Sequence, residues 1–188
     1  MNDTETLLEK IKDFADRAHG EQLRKYTPER YIVHPVRVMR TCQQVSNDLA
    51  ILAAALLHDV LEDTPTNEHE ISRFLTPLIG KDPAARTLKL VIELTDVYIT
   101  SNYPRLNRRE RKAKEAQRMS GISADAQTIK YADILDNSRE IVTQDTGFAP
   151  TYLKESRSLI KVMTKGNESL RAEVLNIIEK RLKLLEYR

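Results

Sequence analysis

Four ionisable side chains, His58, Asp59, Glu62 and Asp63, close the segment ALLHDVLEDT, which continues directly from an apolar stretch at 50–57. Burying an uncompensated carboxylate costs many kcal/mol, so such groups are paired, neutralised or bound to a metal. On a helix, residues four apart share a face, so His58 is expected over Glu62 and Asp59 over Asp63. Two further sets carry matching chemistry. Upstream, His34 stands immediately before Pro35; downstream, Asp133 and Asn137 lie one turn apart, with Lys130 one turn before Asp133. Imidazoles and carboxylates together make a mixed nitrogen and oxygen donor set suited to a divalent transition ion. Two His and two Asp leave coordination positions open for water and substrate, as in a catalytic centre rather than a structural one. Such an ion supplies an acidified water and a Lewis acid. Glu62 and Asp63, one turn past the donors, are placed to orient that water or carry its proton. Arg24, Lys25, Lys130 and Arg139 offer positive charge for phosphates, Arg24 in bidentate fashion.

The elements that must position these residues read as helices almost throughout. The chain has 188 residues, 40% hydrophobic and 31% charged, with 5 Gly and no Trp. That composition suits one soluble domain and disfavours a turn-rich β fold. We expect an all-α domain over residues 1–188 with roughly eight or nine helices, residues 166–188 forming a C-terminal helix packed on the rest. Asp3 or Thr4 is expected to cap the first helix, and Pro35 to open a second with Val36, Met39, Cys42 and Val45 inward. Asn47 is expected to cap DLAILAAALLHDVLED, which is apolar nearly all round and so reads as the central helix. Asn67 and Glu70 have capping-box spacing, and Ser123 is placed to open the helix that carries Asp133. Asp136 reads as solvated or as a neighbour behind Asp133, and His19 and His69 as exposed or capping residues.

The composition also sets limits on partners. A net charge of +2 is too small to argue for nucleic acid or a membrane surface. The basic run Arg105, Arg108, Arg109, Arg111, Lys112 and Lys114 reads as a solvated helix face, with a phosphate-gripping lid as the alternative. A lone Cys42 excludes an internal disulfide and suits a reducing compartment. The first ten residues, MNDTETLLEK, lack the apolar core of a signal peptide. The longest apolar run, LAILAAALL, is about half of the ~20 residues that a membrane span needs. A cytoplasmic location is therefore expected.

The motifs carry a resemblance. With His34, the pair His58–Asp59 and Asp133 as the four metal ligands, the pattern resembles the HD superfamily of metal-dependent phosphohydrolases. Within it, the chain is similar to the alarmone hydrolase domain of Rel/Spo-type proteins and to the stand-alone small alarmone hydrolases. AHGEQLRKYTPERYIVHP looks like that family's Arg-Lys loop leading into Tyr-Ile-x-His-Pro. AALLHDVLEDT is similar to its His-Asp-x-x-Glu-Asp-Thr motif, and KYADILDNSRE to its Lys-x-Ala-Asp-x-x-x-Asn-x-Arg segment. The resemblance covers roughly residues 11–160. It departs in the loop KYTPERYI, in DVYITSNYPRL and at Glu140, where the family often has Thr beside the guanosine.

The resemblance implies hydrolysis of the 3′-diphosphate of ppGpp or pppGpp, giving GDP or GTP and pyrophosphate. It implies one divalent metal, Mn²⁺ by family habit, held by His34, His58, Asp59 and Asp133. Glu62, Asp63 and Asn137 would act on the water or the substrate, and Arg24, Lys25, Lys130 and Arg139 would bind the nucleotide. An adenosine alarmone and the 2′-phosphate of NADPH are the rival substrates for the same site. A non-catalytic nucleotide sensor has no need of Glu62 and Asp63, and a helical nucleic-acid binder fits the charge poorly. A homo-oligomer is left open.

Overall fold

The computed structural model describes residues 3–186, so Tyr187 and Arg188, read above as the end of the last helix, lie outside it. Among the described residues there are ten α-helices and no strand, only an isolated antiparallel bridge between Leu23 and Arg30. The described chain divides into two compact units between Thr95 and Asp96.

The first unit holds α1 (Asp3–His19), α2 (Val33–Gln43), α3 (Leu49–Leu57), α4 (Val60–Asp63), α5 (Glu68–Ile79) and α6 (Lys81–Leu94). Its centre is α3, made of Ala, Leu and Ile, with every residue from Ala50 to Leu57 buried. It packs against α1, α2 and α6. Burying a Leu or Ile side chain contributes about 1.5–3 kcal/mol, so this one helix anchors the unit. Its cap is Asp48, one residue beyond the expected Asn47. The Asp48 carboxylate accepts from Ala50 N at 2.9 Å and Ile51 N at 3.4 Å, and from Arg86 on α6 at 2.6 Å. Partial burial pushes that carboxyl's pKa up, but Arg86 and the two backbone donors outweigh it and hold it below the ordinary value.

Three further expectations change here. The central helix does not run to Asp63: it ends at Leu57, and α4 begins after the pair His58–Asp59. That split raises the helix count from nine to ten. In α2 the inward face is Pro35, Val38 and Cys42, while Val45 is 36% exposed. Asp3 and Thr4, expected at a cap, are already helical. The Asn67–Glu70 capping box at α5 is present with both of its reciprocal hydrogen bonds.

Between α1 and α2 the chain makes a short hairpin. Gly20 takes φ +57°, the left-handed turn that ends α1. Arg24 N then donates to Glu29 O at 2.9 Å and Tyr31 N to Gln22 O at 2.9 Å.

The second unit holds α7 (Arg108–Gly121), α8 (Ala124–Gln144), α9 (Ala149–Val162) and α10 (Glu168–Glu186). Here α8 is the buried helix, capped by Ser123 and packed on α9 and α10. Polar groups lock the α9–α10 turn onto it: Tyr131 Oη donates to Met163 O at 2.6 Å, and Gln127 Oε1 accepts from Lys165 N at 2.8 Å. Gly166 is required there, since a Cβ would sit 2.6 Å from Tyr131 Cε2 and 2.8 Å from Thr128 N. The buried Glu115 of α7 pins the preceding loop by accepting from Val97 N at 3.1 Å and Tyr98 N at 3.0 Å. The basic run around α7 is largely exposed, with Arg108 paired to Glu155 at 2.8 Å and Lys112 to Asp96 at 3.5 Å.

Candidate active site

In the first unit three sequence segments deliver one donor group each. His34 lies in the first turn of α2 on the same face as Val38 and Cys42, so the stripe that packs α2 inward also buries the imidazole, which is 1% exposed. His58 caps the C-terminus of α3 and is 2% exposed. Its Nδ1 lies 2.8 Å from Ala55 O. A carbonyl only accepts, so Nδ1 carries the hydrogen, and in the neutral ring Nε2 presents its lone pair. Asp59 occupies the cap position of α4 but makes no side-chain cap. Its carboxylate turns toward the histidines, with Oδ2 at 3.1 Å from His58 Nε2 and 3.7 Å from His34 Nε2. The two imidazole rings stand edge to face, 5.2 Å apart.

One donor atom from each of His34, His58 and Asp59 lies within 4.8 Å of the others. With Nδ1 carrying the hydrogen, a neutral His58 offers Nε2 as an acceptor 3.1 Å from the Asp59 carboxylate, a nitrogen and oxygen pair that a divalent ion would take up. The residues therefore fit a divalent ion. The helix break serves this purpose: it releases Asp59 from the α3 face and sends its carboxylate to the imidazoles. Glu62 and Asp63 follow on α4, both exposed, with their N–H groups donating to Asp59 O at 3.2 and 2.9 Å.

Tyr31 was not expected here, although it begins the Tyr-Ile-x-His-Pro motif. Its hydroxyl donates to Asp59 Oδ2 at 2.7 Å. Arg24 is brought into this neighbourhood, its guanidinium carbon 5.6 Å from the Tyr31 ring centroid, while Lys25 sits 4.7 Å over Tyr26. His19, expected at the surface, is buried against Tyr31 with the rings 4.5 Å apart; the aromatic hairpin residue covers it. His69 is exposed, as expected.

In the second unit α8 groups Lys130, Asp133 and Asn137. Lys130 Nζ is 2.9 Å from Asp133 Oδ2, and Asn137 Nδ2 donates to Oδ1 at 2.6 Å. Asp133 is 6% exposed, so its charge is met by a cation of its own helix. Arg139 is not part of this group: it reaches Glu173 on α10 at 3.2 Å. Asp136 is buried, not solvated, because α8 is enclosed on more than one side. Tyr152 of α9 is a neighbour that no sequence signal marked. Burial, then the nearby Asp133 charge, push its phenol well above the ordinary tyrosine pKa, opposed by a hydrogen bond with Ser156.

Comparison with known proteins agrees with this chemistry. An HD domain family model matches residues 12–159. The guanosine-3′,5′-bis(diphosphate) 3′-pyrophosphohydrolase MESH1 of Mus musculus is 32% identical over 178 residues, covering 90% of this chain and 91% of the mouse protein. The human MESH1 is 37% identical over 133 residues, covering 69% of this chain and 66% of that protein. A solved structure described as a metazoan ortholog of SpoT that hydrolyzes ppGpp superposes with TM-score 0.77 at 25% identity, over 93% of this chain and 95% of that one. The chain belongs to the HD domain family.

Proposed function

We propose that this chain is a metal-dependent pyrophosphohydrolase acting on a guanosine polyphosphate alarmone. Water attacks the 3′-diphosphate of ppGpp or pppGpp, the bond from the ribose 3′-oxygen to phosphorus breaks, and GDP or GTP leaves with pyrophosphate. The observation that carries this reading is the convergence of the buried His34 and His58 with the half-buried Asp59, in a chain alignable over 90% of its length with a protein named for that reaction.

The reading takes residues 1–188 as a single HD domain, with 166–188 as a C-terminal helix packing on it, and takes Asp133 as the fourth ligand. When bound, the ion, Mn²⁺ in this proposal, supplies Lewis-acid polarisation and an acidified water. Glu62 and Asp63, exposed on α4 just past the ligands, orient the attacking water and carry its proton away. Asn137 holds Asp133 in place through its 2.6 Å hydrogen bond. Arg24 and Lys25 of the hairpin and Lys130 of α8 neutralise the diphosphate. Arg139, tied to Glu173, acts by holding α8 against α10. The expected setting is the cytoplasm, with a nucleotide substrate as the partner and a homo-oligomer left open; no helix among the described residues is long and apolar enough to cross a membrane.

The test is a panel of ppGpp, pppGpp, the adenosine analogue and NADPH incubated with Mn²⁺-loaded protein, with products separated chromatographically. Release of pyrophosphate with the highest kcat/KM on ppGpp or pppGpp is expected. A tenfold advantage for NADPH or the adenosine analogue would sink the guanosine assignment and leave the metal-dependent reaction standing.

A further inference from the structure

The Tyr of the Tyr-Ile-x-His-Pro motif has no role in the reaction as described. We propose that Tyr31 is a positioning residue of the metal centre, its hydroxyl holding the Asp59 carboxylate in the donor cluster and the buried His19 ring holding Tyr31. The inference rests on the metal-site reading above.

The geometry is specific. Asp59 sits in the two-residue break between α3 and α4 and its side chain makes no cap hydrogen bond there. The hydrogen bond from Tyr31 Oη, at 2.7 Å, sets which oxygen faces His58 and His34. It does so without adding charge, because a phenol donor leaves the carboxylate its full negative charge for an ion. Lys130 does the opposite at Asp133, bringing a cation to within 2.9 Å. Tyr31 is itself fixed on several sides. Its ring meets the edge of His34 at 6.1 Å and the imidazole of His19 at 4.5 Å. One residue, Gln22, ties both partners: its backbone oxygen accepts from Tyr31 N at 2.9 Å and its side-chain oxygen lies 2.9 Å from His19 Nδ1. The hairpin after α1 thereby becomes an outer support for the donor cluster, in the way that hydrogen bonds to ligating carboxylates tune metal sites generally.

Tyr31→Phe removes the hydroxyl and keeps the ring. Binding of Mn²⁺ and of Co²⁺ is measured by titration, with the visible absorption of the Co²⁺ protein as the signature of ligand geometry. Asp59→Ala serves as the reference for loss of the site. The expected result is binding about 10–100-fold weaker in Tyr31→Phe, the usual effect of losing an outer partner. A shifted Co²⁺ band, an unchanged melting temperature in the metal-free protein and an unchanged KM at saturating Mn²⁺ are expected with it. His19→Phe, which preserves a ring against Tyr31, should bind metal close to wild type, and His19→Ala more weakly. If Asp59→Ala loses the metal while Tyr31→Phe keeps wild-type affinity and spectrum, the inference is overturned and the metal site stands. A rise in KM without a change in metal affinity overturns it as well, since the hydroxyl would then belong to the substrate. If Asp59→Ala binds metal like wild type, the metal-site reading itself fails and takes the inference with it.

Discussion

The two carboxylates proposed as metal ligands live in opposite electrostatic settings. Asp59 faces two buried imidazoles, and the partner its carboxylate shows there is a neutral phenol. Asp133 lies on a continuous buried helix, with Lys130 at 2.9 Å and Asn137 at 2.6 Å from its two oxygens. The first arrangement brings two imidazoles and a phenol to the carboxylate; the second brings an ammonium and an amide. The difference teaches where metal affinity and where electrostatic tuning reside. The donor atoms of His34, His58 and Asp59 lie together, whereas the Asp133 carboxylate is met by Lys130 and Asn137 of its own helix.

The strongest way to break this contrast is Asp59→Ala. It should abolish turnover and strip the protein of metal by elemental analysis; unchanged metal content and rate would remove Asp59 from the centre altogether. Glu62→Gln sharpens the boundary of the His34–His58–Asp59 group. Glu62 is exposed on α4 beyond the donors, so metal content should persist while kcat falls by about 10²–10⁴, the usual worth of general acid–base help. Metal loss in that variant would instead enlarge the ligand set. Lys130→Met addresses the other side. It leaves Asp133 buried without its cation, which should destabilise the metal-free protein by about 3 kcal/mol in chemical denaturation, the lower end of the effect for breaking a buried pair. Added Mn²⁺ should recover part of that loss if Asp133 is a ligand. Equal stability with and without Lys130 would mean that the two carboxylates are not so different after all.

Much of the architecture was readable locally. The capping box at Asn67 and Glu70, the Ser123 cap and the apolar run that became α3 depend on neighbours within a turn. In α2 Cys42 is inward as expected, but Val36, Met39 and Val45, which continue an apolar stripe at helical spacing, are not buried. Only the position of α3 selects the stripe of Pro35, Val38 and Cys42 instead. The break at His58–Asp59 contains no Gly or Pro, so no local rule announces it. His19, expected to be exposed or capping, is buried for a similar reason, and of the two readings of Asp136 the solvated one fails: their burial comes from Tyr31 and from the enclosure of α8, not from adjacent sequence.

By itself the sequence determined that the chain is helical, that an apolar helix leads into a histidine and carboxylates, and that His34, His58 and Asp59 are chemically suited to share an ion. Composition, periodicity and residue type carry that much, since each is set by nearest neighbours along the chain. Tertiary structure alone decided which lone pairs face one another, that Tyr31 holds Asp59, and that Lys130 and not Arg139 meets Asp133. These are matters of angstroms between residues distant in sequence or around a helix, and only packing sets them.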